Sequence, residues 1–295
     1  MAGQNHGMFQ HQLRLLGLCS IVLVLCFARP LSALARFALH SELYSHILLI
    51  PSVSLYLAWL KKGQLQADSQ PERKLAALPL AAGLLLILGY ALAARSGLKL
   101  APVDSLAWTT LSFVLLFIGG CFLCLGRQNV RPLAFPLAFL IFLVPFPEFI
   151  QDAIESFLQH RSADAAELLF GLAGTPLLRQ DVAFQLPGFA LAVAPECSGI
   201  HSTLVLLITS LVAGQLFLRT PWKRALFALV VIPLGILRNA LRIVTIGELC
   251  VHVDPAFINS AIHRRGGPVF FVISMVPFLF LLYYLYRTDV RKLKS

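Results

Sequence analysis

The chain has 295 residues, 58% of them hydrophobic and only 13% charged, where soluble domains carry about 25% charged residues. With a mean hydropathy of +0.79 this composition excludes a soluble enzyme and describes a polytopic membrane protein, since a charge at the bilayer centre costs about 3 kcal/mol on insertion scales. The net charge of +10 does not point to nucleic acid, because Lys and Arg stand in short clusters between apolar runs, as the positive-inside rule requires.

A hydrocarbon core of about 30 Å takes roughly 20 apolar residues per helix. In chain order that window predicts eight spans, at residues 13–28, 44–60, 75–94, 106–125, 132–147, 198–218, 225–250 and 267–286. The expected fold is an all-α bundle of about eight transmembrane helices in one domain over residues 1–295, with its core at 40–285. The first span is not a cleavable signal peptide, because "CFARPLSALARFAL" continues apolar and basic without a cleavage site. No further domain is expected after residue 286. The pair in "CFLC", Cys121 and Cys124, has zinc-like spacing without a second ligand pair and reads as helix packing. No metal or cofactor is expected.

Orientation follows from the connections. Lys61, Lys62, Arg73 and Lys74; Arg127 and Arg131; Arg219, Lys223 and Arg224; and the tail with Arg287, Arg291, Lys292 and Lys294 belong inside. Both termini are then cytoplasmic. The long connection 148–197 lies outside and holds seven of the fourteen acids (Glu148, Asp152, Glu155, Asp164, Glu167, Asp181 and Glu196). Within it, "FIQDAIESFLQHRSADAAELLFGLAG" has helical spacing and predicts an amphipathic helix along the outer interface. "TPLLRQDVAFQLPGFALAVAPE" predicts an extended or hairpin segment.

Three polar positions then share the outer leaflet. Cys197 opens the sixth span. Arg242, with Arg238 four residues before it on the same face, lies eight residues below Cys250, or about 12 Å at 1.5 Å per residue. His263 precedes the eighth span. A thiol needs a base or a positive field to become the nucleophilic thiolate, His263 can provide the base, and an Arg fork can stabilise an oxyanion. The amides of Ser198 and Gly199, at a helix N-terminus, favour an anionic sulfur. Each residue also has a plain structural reading. Cys197 can pack or pair with Cys250, Arg242 can snorkel or pair with Glu248, and His263 beside Arg264 and Arg265 can be an ordinary interfacial residue. Arg238, one turn deeper, is expected to serve stability more than turnover.

The motifs themselves resemble a known family. "PECSGIHSTL" is similar to the Cys motif of the exosortase and archaeosortase family, "NALRI" (Asn239 to Ile243) to its Arg motif, and "HRRGGPVFF" to its His motif. The resemblance covers most of residues 40–285, and the segment "LYSHILLIPSVSLYLAWL" shares it. It implies an inner-membrane cysteine peptidase or transpeptidase with its active site at the outer face. Its partners would be exported proteins carrying a PEP-CTERM-like signal: a short motif such as Pro-Glu-Pro, a membrane helix and a basic tail. Membrane lipid and a surface-polysaccharide export machinery would be further partners. By resemblance Cys197 is the nucleophile, His263 the general acid and base, and Arg242 the oxyanion or substrate clamp. Glu196, Ser198, Gly199, Asn239 and Arg238 support them. Two positions depart from the family pattern: His201 where a basic residue often follows the Ile, and Pro268 where an aromatic often follows the glycines.

Two other functions compete. A transporter or assembly factor for surface polysaccharide would line a path with Arg238, Arg242 and Glu248, but the inner halves of the spans are nearly free of polar groups. An intramembrane hydrolase would share the acyl-enzyme and differ only in the final acceptor.

Overall fold

The computed structural model describes residues 2–67, 69–193, 198–254, 256–257 and 267–291. Glu196, Cys197 and His263 of the sequence reading lie outside the described residues. In chain order, α1 (Ala2–Cys26) and α2 (Ala28–His40) lead to a short 3-10 turn, Ser45–Leu48, and to α3 (Ile50–Leu60). Then come α4 (Arg73–Arg95), α5 (Pro102–Val130), α6 (Ala134–Phe139) and α7 (Glu148–Ala173). Strands β1 (Leu178–Gln180), β2 (Ala183–Leu186) and β3 (Phe189–Ala192) precede α8 (Ile200–Phe217), α9 (Pro221–His252) and α10 (Gly267–Arg291). The protein is an all-α polytopic membrane protein with one small sheet. Helices dominate because lipid offers backbone groups no partner outside the segment itself.

The expected all-α bundle of membrane helices is met, and the bounds of three expected spans differ. Among the described residues five helices, α4, α5, α8, α9 and α10, are long and apolar enough to cross a membrane, or seven spans if each bent helix pair counts as one. The predicted span 13–28 bends by 73° at Phe27 into α2, a helix that carries Arg29 and Arg36. The predicted span 44–60 yields the 3-10 turn and an α3 of only 11 residues. The predicted span 132–147 breaks up after α6, where Pro145 and Pro147 each lack an N–H and disfavour helix in the residue before them.

The chain divides into two compact units, Met1–Ile150 and Gln151–Ser295. In the first, α4 and α5 form the closest helix pair, and Gly119 makes it possible: a Cβ there would stand 2.5 Å from Leu80 Cγ. Ser112 Oγ donates to Gly83 O across the same contact at 2.6 Å. Elsewhere α4 is open, with Leu78, Leu85 and Leu88 exposed, which suits a lipid-facing surface. The basic connection after α3 is tied to the end of α5. The Asn129 side chain accepts from Gln66 N–H at 2.7 Å and donates to Gln66 O at 3.0 Å, and Ser69 Oγ donates to Leu125 O at 2.6 Å. Cys121 and Cys124 are buried in α5, and Cys121 packs with Leu125, Val130 and Leu137.

In the second unit α9 is the central helix. Near its start, Leu206, Leu218, Phe227, Val231, Phe278 and Leu285 form a shared core with α8 and α10. Beside that core Lys223 Nζ meets Asp289 Oδ1 at 2.8 Å, both side chains 4% exposed. Every remaining valence is occupied: Asp289 accepts from Arg219 N–H at 2.8 Å and Thr220 Oγ1 at 2.5 Å, and Lys223 donates to Thr288 Oγ1 at 2.9 Å.

Further along α9, the predicted loop helix and hairpin fold back onto the membrane helix. The segment foreseen as extended is a three-stranded antiparallel meander, with Phe184 opposite Leu191 and Gln180 opposite Ala183. Alternation drives Phe184, Leu186 and Leu191 inward. They form one core with Ala163, Ala166 and Phe170 of α7 and Ala240 and Ile243 of α9. Gly247 admits Phe170, whose Cζ lies 2.5 Å from where a Cβ would be. The predicted helix is confirmed as α7, and its outer side leaves Leu168 and Leu172 exposed. Arg179 of β1 clamps the sheet to α7, donating from Nη2 to Asp164 and from Nη1 to Glu167, both at 2.8 Å. The Arg179 hydrogen bond holds the Asp164 carboxyl below the usual carboxylate range; partial burial opposes this and Arg161 reinforces it.

Two predictions follow from these locks. Removing one partner of the Lys223 and Asp289 pair, as in Asp289→Ala, leaves a buried ammonium and should destabilise the protein by about 3–5 kcal/mol, read as a lower unfolding midpoint in detergent; an unchanged midpoint would contradict the packing of α9 on α10. Because the folded Asp164 pKa is depressed, its contribution is present above the unfolded value of about 3.9 and lost as pH falls through the folded one. Hydrogen-exchange protection factors in β1 to β3, which are corrected for the intrinsic pH dependence of exchange, should therefore fall on acidification, and Asp164→Asn should remove part of that fall.

Candidate active site

The Cys motif enters the described structure at Ser198 and Gly199. Gly199 is left-handed, with φ 78°, and caps the start of α8; a side chain is strained in that conformation. The space is closed as well, for a Cβ on Gly199 would stand 3.0 Å from Arg238 Nη2 and 3.5 Å from Asn239 Cγ. The residues after the candidate nucleophile are thus packed directly on the Arg motif of α9. Ser198 is buried, and the Gly199 carbonyl accepts both Thr203 N–H, at 3.0 Å, and Arg238 Nη2, at 3.3 Å.

This close approach is set one turn earlier on α9. Gly235 faces Thr203, whose Oγ1 is 2.5 Å from the position of a Cβ, so α8 and α9 nearly touch there. Spacing of 3 and 4 residues then puts Arg238, Asn239 and Arg242 on successive turns of the same side. Arg238 is only 6% exposed, and among the described residues its Nη1 has no hydrogen-bond partner; Thr203 Oγ1 is likewise buried and unpartnered among them.

Arg242 lies within a small cleft of about 20 Å³ whose lining also includes Asn239, Ile243 and Ile246 of α9 and Leu191 to Val193 at the end of β3. The chain runs from that strand end into residues 194–197, so the meander delivers the Cys motif to the Arg motif. Gln159 of α7 donates to Val193 O and fixes the strand end. The cleft holds no more than a water-sized group. A larger cavity of about 540 Å³, lined by Gln66, Arg127, Gln128 and Arg131, lies in the first unit and carries no nucleophile, so size is a poor guide here.

The described part of the predicted set, Ser198, Gly199, Arg238, Asn239 and Arg242, is therefore brought to one place, while Glu196, Cys197 and His263 lie outside the described residues. Glu248, considered as a partner for Arg242, accepts from Thr175 Oγ1 at 2.5 Å and faces His252 Nε2 at 3.0 Å. Pro268 stands in the first turn of α10, a position where a missing N–H costs no hydrogen bond, which accounts for that departure from the family pattern. Sequence reasoning did not foresee the wall formed by β3 or the Gly199 and Arg238 contact. The alternation of "VAFQL" and "FALAV" carried a signal for the first; nothing in the spacing carried the second.

Among known proteins, the family model described as Transmembrane exosortase (Exosortase_EpsH) matches residues 36–280. No curated protein and no solved structure matches the chain. The family match takes in the Cys, Arg and His motifs and most of the chain, and it agrees with a fold of several membrane helices. The protein belongs to the transmembrane exosortase family.

Proposed function

We propose that the protein is a membrane-embedded cysteine peptidase or transpeptidase that removes the C-terminal sorting signal of exported proteins. Family membership supports a protein-sorting role. The observation that carries the chemistry is the packing of Gly199, two residues after Cys197, on Arg238 and Asn239, with Arg242 lining the cleft one turn on.

In this mechanism the Cys197 thiolate attacks the scissile carbonyl carbon and a tetrahedral oxyanion forms. A guanidinium at Arg242 stabilises that charge in a site with little water. The C–N bond then breaks, His263 gives its proton to the departing amine, and the exported part remains as a thioester on Cys197. An acceptor amine or water attacks the thioester, its proton passes to His263, and the thiolate is released. A substrate anchored by one apolar helix holds its cleavage motif at the outer interface, so that search is lateral and orientation is largely set before chemistry.

The chemistry is tested with an exported reporter ending in Pro-Glu-Pro, one apolar helix and a basic tail. Cys197→Ala should accumulate uncut reporter at normal enzyme abundance, and mass spectrometry of trapped wild-type enzyme should place the adduct on Cys197. Arg242→Lys should also fail, because an ammonium lacks the planar fork. Full processing by Cys197→Ala would refute the mechanism.

The orientation has its own test. A Cys placed at Gln64 should resist an impermeant thiol reagent from outside, whereas one at Asp181 should react. Labelling at Gln64 would invert the topology and remove the outer-face site.

A further inference from the structure

Arg238 does something that helix packing does not require. A buried donor left without a partner costs about 1–3 kcal/mol, and more when it belongs to a charged group. Arg238 accepts that cost at 6% exposure, with Nη1 orphaned. The charged side chain one turn along α9 is Arg242, of the same sign, so the neighbour adds repulsion instead of compensation. If the only task were to hold α8 against α9 by the Gly199 carbonyl, one neutral donor such as Gln would do it without burying a charge.

The same unit shows how this chain treats a buried charge whose role is structural. Lys223 is as buried as Arg238, and it has a carboxylate at 2.8 Å and a hydroxyl at 2.9 Å. Arg238 has one carbonyl at 3.3 Å. Its Nη2 touches the turn that directly follows Cys197, and Nη1 belongs to the same rigid fork. A donor held within one guanidinium width of that turn, and satisfied by none of the described residues, fits an acceptor that arrives with substrate.

We propose that Arg238 is a substrate-positioning residue: Nη2 fixes the Gly199 carbonyl, and Nη1 takes an oxygen acceptor of the peptide brought to the Ser198–Gly199 turn. The planar fork serves both tasks at once, which an ammonium cannot. Arg242 is left to the cleft that it lines with Asn239. This inference rests on the sorting-peptidase reading, and its test separates the two by measuring binding without turnover.

The reporter tail, as a fluorescent peptide, is titrated onto Cys197→Ala protein in lipid nanodiscs, alone and combined with Arg238→Gln or Arg238→Lys. Unfolding midpoints are recorded for all three proteins. Arg238→Gln should weaken binding about tenfold while the midpoint stays equal or rises, because a buried charge has been removed. Arg238→Lys should recover only part of the affinity. In the otherwise wild-type enzyme, Arg238→Gln should raise KM more than it lowers kcat. Wild-type affinity in Arg238→Gln overturns the proposal, as does a loss of binding that only follows a loss of folded protein in both variants. Failure of the Cys197→Ala protein to bind the tail at all overturns the functional reading itself, and this inference with it.

Discussion

A charge buried in a membrane protein must be matched, because unpaired it is among the most expensive groups a fold can hold. In the second unit that constraint separates structure from site. At one end of α9, Lys223 and Asp289 match each other and fill their remaining valences from Arg219, Thr220 and Thr288. Near the middle of the same helix Arg238 is left short of partners among the described residues, beside the Cys motif. The first arrangement fixes α9 against α10. The second is stable only because the first, and the apolar core of Phe227, Val231 and Phe278 next to it, holds the helix in place.

The fold of the connection between α6 and α8 follows from the same helix. Holding the start of α8 against α9 requires that the chain leading to it be fixed in place, and loops alone do not provide that. Here Phe170 seats against Gly247, and Phe184, Leu186 and Leu191 continue the core onto Ala240 and Ile243. The meander is therefore a rigid arm of α9. Thr175, hydrogen-bonded to Glu248, ties its start to the same helix. β3 then ends at the cleft that Arg242 lines, so the position of Val193 is set by packing that began more than twenty residues earlier.

Much of this was legible in the sequence, for reasons specific to each element. The five long spans were readable because hydrocarbon imposes length and apolarity directly. The failures fall where a second rule competes with hydropathy. Pro145 and Pro147 break an otherwise apolar run, and the segment around Phe27 bends within a stretch whose composition suits a straight span. The helix over 148–173 was visible from its spacing. The meander was visible only as an extended tendency, since each strand has three or four residues. The set of site residues was suggested by motif spacing and by topology. The pairings were not: a contact between Gly199 and Arg238, 39 residues apart, and one between Lys223 and Asp289, 66 apart, depend on how helices cross.

Arg238 and Arg242 of α9 also bear on why the candidate nucleophile stands where it does. A thiol with a free pKa of about 8.5 is a poor nucleophile at neutral pH, and three influences lower that value: a helix N-terminus, a nearby cation and a hydrogen-bond donor to sulfur. Gly199 caps the start of α8 two residues after position 197, and Arg238 adds a full positive charge to the same turn. Among the described acids, Asp164 and Glu167 are engaged by Arg179, and Glu248 of α9 accepts from Thr175 and faces His252. Arg179 thus pairs two carboxylates of α7, while Arg238 and Arg242 stand on successive turns of α9 beside the Cys motif. In the proposed mechanism an anion formed there, whether the thiolate before attack or the oxyanion after it, would meet a positive field already in place, with no reorganisation needed at the moment of reaction.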